Sequence, residues 1–209
     1  MDIKNYNELD SLEIDILREV GSIGTGNAAN SLSQLLNQGV RITLPEVRIM
    51  GYNEAIDWIG GPEAITAGVL VQLGGEINGI LLSVQQMDFV NLILENMLDT
   101  KIDDYTQLGS LESSALVEVG NIMISSFVNA LSSLANITIK PSVPAFMVDM
   151  QGAILAVPMA VYGGQSDYIM TIGGNFICNE KQVPCRLLLS PDIRSLNFLL
   201  RKLSGPYGK

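Results

Sequence analysis

The chain has 209 residues and a net charge of −10, with 22 acidic residues against 12 basic ones; it is 47% hydrophobic and 16% charged. That balance supplies a core and excludes a disordered chain, and the length fits one large domain or two small ones sharing a core. No basic run serves a nucleic-acid backbone or an anionic membrane surface. Histidine is absent, which excludes Ser-His-Asp and Cys-His catalysis and removes the usual general base near neutral pH.

The N-terminal MDIKNYNELD is polar and acidic, so it does not read as a signal peptide. Leu12, Ile16, Val20 and Ile23 have helical spacing and predict a long first helix, with its apolar side toward the core. An extended segment (39–50), a short helix near 53–58 and two strands, ITAGVLVQL and GEINGILLSV, follow; an amphipathic helix over 86–98 ends this half. The polar segment 99–110 reads as a joint. A second long helix, an extended segment (136–148), a short helix near 150–160, two strands (YIMTIGGNFIC, QVPCRLLLS) and a helix from Asp192 to Gly205 come after it. The longest apolar run, near 152–164, contains Pro158 and is too short to span a bilayer, so a soluble cytoplasmic protein is expected. Cys178 and Cys185 fall in one hairpin and could face each other across it. Without an export signal they read as reduced thiols, and without histidine a zinc site is not expected.

The chain repeats itself. At an offset of 99 residues, 18–36 matches 117–135 at eight of nineteen positions, among them Glu19/Glu118, Val20/Val119 and Gly21/Gly120. The same offset takes Pro45 to Pro144 and Asp15 to Ser114. The repeats run over about 8–100 and 107–205 of a single domain. Each reads long helix, strand, short helix, hairpin, helix. The fold class is therefore α+β, with pseudo-twofold symmetry and a central, largely antiparallel sheet packed with long helices, the helices lying on one face. Pairing of one half with the other would cover a sheet edge, so a monomer is expected.

The repeat also decides what GSIGTGN (21–27) is. Gly24 and Gly26 are Met123 and Ser125 in the second copy, and a helical pattern rather than a strand precedes the glycines. A phosphate-binding loop needs free amides after a strand. These glycines instead lie inside a helix, where close packing on a neighbour would offset their unfavourable propensity. A stripe recurs as well: Asp15, Glu19 and Ser22, then Ser114, Glu118 and Asn121, spaced four and three. It lies on one helix face, directed to solvent, with Ile16, Val20, Ile23, Val119 and Ile122 expected on another side. Pro45 and Pro144 suit an edge or bend in the strand after each long helix.

At these residues the chain resembles the CheC-type phosphatases of bacterial chemotaxis. Their signature is Asp or Ser, three residues, Glu, two residues, Asn, twenty-two residues, Pro. The second copy matches at Ser114, Glu118, Asn121 and Pro144. The first matches at Asp15, Glu19 and Pro45 but has Ser22 in place of the amide. A CheX-like member is shorter with one such site, and a FliY-like member continues into a flagellar-switch domain. This chain ends at Lys209 without that extension, which fits the CheC layout. The resemblance implies hydrolysis of the aspartyl phosphate on the response regulator CheY. Asn121 would orient the attacking water and Glu118 would pair with a regulator lysine. The chain would have no cofactor or metal of its own, and the Mg2+ would sit on the regulator. Serine is shorter than asparagine, so the Glu19/Ser22 site is expected to be weak or dead. The resemblance also implies the deamidase CheD as a partner, on the short helix near Asp149 to Leu155. Two other readings stand beside the enzyme: a non-catalytic binding module for phosphorylated CheY or CheD, and a flagellar-switch scaffold.

Overall fold

A computed structural model describes residues 2–162 and 166–205. The first long helix, α1 (Ser11–Leu36), is started by a reciprocal pair. Asp10 Oδ1 accepts from Glu13 N at 2.8 Å, and Glu13 Oε2 accepts from Asp10 N at 3.0 Å. Asn37, left-handed at φ 49°, ends it. Its copy, α4 (Ser110–Ala135), begins where Glu112 Oε2 accepts from Gly109 N at 3.0 Å, and Asn136 (φ 50°) ends it.

Between and after these helices come β1 (Val40–Ile42), β2 (Glu46–Gly51), α2 (Tyr52–Ile59), β3 (Ile65–Gly75), β4 (Gly79–Gln85) and α3 (Met87–Leu98). Their copies are β5 (Ile139–Pro141), β6 (Ala145–Met150), α5 (Gln151–Tyr162), β7 (Tyr168–Cys178), β8 (Lys181–Pro191) and α6 (Ile193–Ser204). All eight strands form one antiparallel sheet in the order β1-β7-β8-β4-β3-β5, with β2 also on β7 and β6 also on β3. The two hairpins meet at β4–β8, from Gly79↔Pro191 to Val84↔Arg186. The extended segment after each long helix is broken in two at Pro45 or Pro144, and both pieces pair with the other repeat's hairpin. The halves have thus exchanged strands, so neither can close its sheet alone.

Two expectations need correction. Helices cover both faces of the sheet, not one. α1, α3, α4 and α6 pack on one side over Val69, Val71, Leu81 and Leu189. Tyr52, Ala55 and Ile59 of α2 with Ile154 and Leu155 of α5 cover Leu70, Ile80, Leu82 and Leu188 on the other. The unbroken apolar run of β3 is the reason: a strand buried on both faces loses the alternation of a half-wet one. Pairing of the halves also closes only the middle of the sheet. β1/β2 and β5/β6 remain at its two edges, where a proline interrupts each.

The repeat begins earlier than the sequence comparison placed it. Three-residue 3-10 turns at Tyr6–Glu8 and Tyr105–Gln107 precede the long helices. Each buries its tyrosine, and the hydroxyls donate to the carbonyls of Pro191 and Gln85 respectively. The segment 99–110 is therefore a packed lead-in, with Ile102 also buried, rather than a plain joint. The thiols are free. Register places Cys185 opposite Gly174 and Cys178 opposite Lys181, so the two do not face each other. Burial pushes the Cys185 thiol up to about 11. Among the described residues one helix, α4, is long and apolar enough by composition to cross a membrane, although it holds no long unbroken apolar run. Its Val119, Met123, Ile124 and Phe127 are buried in this core.

All three glycines of 21–26 lie inside α1, and they differ in what surrounds them. A Cβ on Gly24 would meet the Phe127 backbone at 3.0 Å, so the glycine lets α4 approach. A Cβ on Gly26 would meet nothing within 4 Å. Gly26→Ala should therefore stabilise the chain by about 1 kcal/mol through helix propensity. Gly24→Val should destabilise it by about 1–3 kcal/mol through overpacking of the helix pair. Denaturant titrations of the two variants check this. Equal effects of the same sign would contradict the packing assignment.

Candidate functional site

The recurring stripe is placed on the exposed sides of α1 and α4. Asp15, Glu19, Ser114 and Glu118 are exposed; Ser22 and Asn121 are half-buried. On α4, Glu118 and Asn121 are one turn apart on one face. Among the described residues the Glu118 carboxylate takes part in no ion pair. Asn121 Oδ1 accepts from Ser125 Oγ at 3.4 Å, and its amide nitrogen donates to no described protein group. The amide thus keeps both N–H donors and a second lone pair for solvent or a ligand. Ser125 was not singled out by the sequence reading beyond its contrast with Gly26. Its spacing of four from Asn121 was the available signal.

The flanking positions are tied up within each helix. Ser114 Oγ donates back to the Ser110 carbonyl at 2.7 Å. Asp15 pairs with Arg18, and among the described residues Glu19 forms no ion pair. In the first copy Ser22 stands at the amide position and Gly26 where Ser125 would assist it. That copy keeps the acid and loses both the amide and the hydroxyl beside it. Pro45 is buried and Pro144 half-buried.

Gly120 is the residue that seats this turn. It lies about 160° around α4 from Glu118 and about 100° from Asn121. A Cβ there would come within 2.6 Å of Val69 Cγ2 and 2.9 Å of Gln85 Nε2. The bare backbone lets the helix rest on β3 and β4, and Gln85 Nε2 donates to the Leu116 carbonyl at 3.0 Å. Gly21 has the equivalent place in α1. A Cβ there would lie 3.0 Å from Pro45 Cγ and 3.6 Å from Ile172. The glycine kept in both copies is therefore a packing contact beneath each stripe, and Pro45 belongs to the seat of the first.

Two apolar residues were placed on the wrong side. Leu12 is 57% and Ile23 38% exposed, and their counterparts Leu111 (62% exposed) and Ile122 (half-buried) behave alike. At about 100° per residue, Leu12 and Ile23 lie within about 40° of Glu19, so they share its wet face. Leu44 and Val143, each just before the proline, are 79% and 88% exposed. Exposed large apolar groups thus recur at the same offset in both copies, Leu12/Leu111 on the helix face of the acid and Leu44/Val143 before the proline. Contiguous exposed apolar groups mark a contact surface more often than scattered ones do. Comparing exposed apolar positions between repeats would have found them. Of the residues expected to meet CheD, Asp149 lies in strand β6, just before the short helix, with its Oδ1 accepting from Met150 N, while Ile154 and Leu155 are buried.

Fold and site together define a duplicated α+β protein with one complete and one incomplete acid–amide pair on its two long helices. The CheC-like family model matches residues 12–49 and 111–148, which contain both stripes. The chain is similar to this family over those two segments. It is 26% identical over 204 residues to the CheY-P phosphatase CheC of Bacillus subtilis, covering 96% of this chain and 98% of that protein. Its fold is similar to that of Thermotoga maritima FliY (TM-score 0.75, 20% identity, 95% of this chain and 98% of that one). It is also similar to a chain in the CheX–CheY–BeF3–Mg complex of Borrelia burgdorferi (TM-score 0.50, 16% identity, 81% of this chain and 96% of that one).

Gly120→Ala should lift the α4 turn from the sheet, because Val69 has no flexible end to withdraw. We expect a loss of about 1–3 kcal/mol and faster amide exchange over 116–121 than over the matching turn of α1. Unchanged exchange in that turn would contradict the seat.

Proposed function

We propose that this chain dephosphorylates the aspartyl phosphate of a CheY-type response regulator, using the α4 site. The observation that carries this reading is the Glu118–Asn121 pair: an exposed acid and a half-buried amide on one turn, with Ser125 the one side-chain partner among the described residues. The similarity to a CheY-P phosphatase over nearly the full length supports it, as does the fold shared with a protein solved with CheY.

In this reading Asn121 accepts from and donates to a water and holds it in line with the phosphorus–oxygen bond. The water's oxygen bonds to phosphorus, the carboxylate oxygen of the regulator's aspartate leaves, and inorganic phosphate departs. An acyl phosphate is already labile, so placement of the water supplies most of what is needed. Glu118 pairs with a lysine of the regulator and fixes the docked pose. Leu111 and Val143 supply apolar contact around it. The chain needs no cofactor of its own in this scheme, and the magnesium belongs to the regulator. Glu19/Ser22 is a weak or inactive second site, since serine is shorter than asparagine and would meet the water at a different distance.

CheD remains a proposed second partner, now at the β6–α5 corner. The exposure of Asp149 together with Met150 and Met159 (47% and 46% exposed) supports that position. We propose a monomer, in which the proline breaks in both edge strands discourage edge-to-edge pairing.

Phosphate release from magnesium-loaded, phosphorylated CheY tests the enzyme. Added chain should accelerate it; Asn121→Ala should remove that acceleration by about a hundredfold, and Ser22→Ala should leave it nearly unchanged. Loss on Ser22→Ala with little on Asn121→Ala would reverse the site assignment. No acceleration by the unaltered chain would leave a binding module instead.

A further inference from the structure

One charged cluster lies outside the stripe. At the β2 edge, Arg48 and Arg186 place their guanidinium carbons 5.5 Å and 4.3 Å from the centroid of the Trp58 ring. Together with Glu46, Thr43 and Asn175 they line a cleft of about 240 Å³. Space for this stack exists because residue 173 is glycine: a Cβ there would lie 2.7 Å from the indole.

Arg186 is the unusual member. It is half-buried in a strand. Its Nη1 donates to the Gly174 and Cys185 carbonyls at 3.0 and 3.1 Å, and its buried Nε has no partner. Among the described residues it forms no ion pair, because the one carboxylate in the cleft, Glu46, binds Arg48 at 2.7 Å. Burial and the neighbouring Arg48 charge both push the Arg186 guanidinium down from its usual pKa. A partly desolvated cation held beside a like charge is unfavourable unless an anion joins it. Paired guanidinium forks match the oxygens of a phosphoryl group.

The cluster is not a relic of duplication. At the same offset of 99, Glu46, Arg48, Trp58 and Arg186 correspond to Ala145, Met147, Val157 and Met87. The corner is charged at one end of the pseudosymmetric sheet and its counterpart is apolar. In a chain of net charge −10, two arginines converging without equal acidic compensation stand out.

We propose that the Arg48–Trp58–Arg186 cleft binds a phosphoryl group, once per molecule, with Glu46 as the internal anion that the ligand displaces from Arg48. The site is independent of Glu118 and Asn121.

Trp58 is the single tryptophan of the chain, so its emission reports on the cleft directly. Inorganic phosphate titrated into the full chain at constant ionic strength should change that emission saturably, in the millimolar range. Arg48→Gln and Arg186→Gln should each raise the half-saturating concentration by about tenfold. Glu46→Gln should lower it, a response that a purely structural role for the cluster would not give. Glycerol phosphate and a phosphoserine peptide then separate a free ester from a protein-borne group: the tighter of the two names the source. The proposal fails if phosphate acts no differently from chloride, if acetate binds equally well, or if Arg48→Gln, an exposed change that should leave folding intact, has no effect on half-saturation.

Discussion

The contact on which the functional face depends is the approach of α4 to the sheet at Gly120. Helix and strand meet there with no side chain on the helix between them, and Val69 and Gln85 fill the place a Cβ would take. Gln85 adds a hydrogen bond to the Leu116 carbonyl. The turn that carries Glu118 and Asn121 is thus fixed from behind while its front stays wet. For a side chain proposed to place a water, a rigid backbone matters more than a shifted pKa, because small misplacements lower the rate steeply.

Strand exchange extends that constraint to the whole chain. β3 and β4, which seat α4, belong to the first repeat; β7, which brings Ile172 beneath α1, belongs to the second. Each stripe is supported by the other half's hairpin, so the copies must fold together. Within that frame they have diverged where the symmetry allows. Gly24 on α1 accepts Phe127 on α4, whose own counterparts are Met123 and Ala28, so a small surface meets a large one across the helix pair. Ser22 is half-buried and Gly26 exposed, outside the core contacts of α1. The first copy therefore has the packing glycine and the proline of the second without its amide and hydroxyl.

Much of this was readable in the chain itself. The 99-residue offset exposed the duplication, the helical status of GSIGTGN and the two stripes, because each depends on local spacing. What escaped depended on long-range pairing. Leu12 and Ile23 were assigned to the core because helical periodicity gives relative angles and not the direction of the core. The two-sided burial of the sheet lay in the unbroken run of β3, which also reads as one face of a simple layer. Strand exchange left no local mark, since β2 would show the same pattern against either hairpin. Tyr6 and Tyr105 repeat at the same offset, but their short turns carry too little sequence to stand out. The Trp58 cluster joins β2, α2 and β8, three segments that nothing in the sequence draws together.

The central claim is that a regulator docks on the wet face of α4 above Gly120. The most direct measurement is the amide chemical-shift footprint of a CheY-type regulator, held in its active form with beryllofluoride and magnesium, on the isotopically labelled chain. The account predicts that the largest shifts fall on 111–122 and 143–144, with weaker ones on 12–23. A footprint confined to α2, α5 or the outer face of β2, with 111–122 undisturbed, would contradict it.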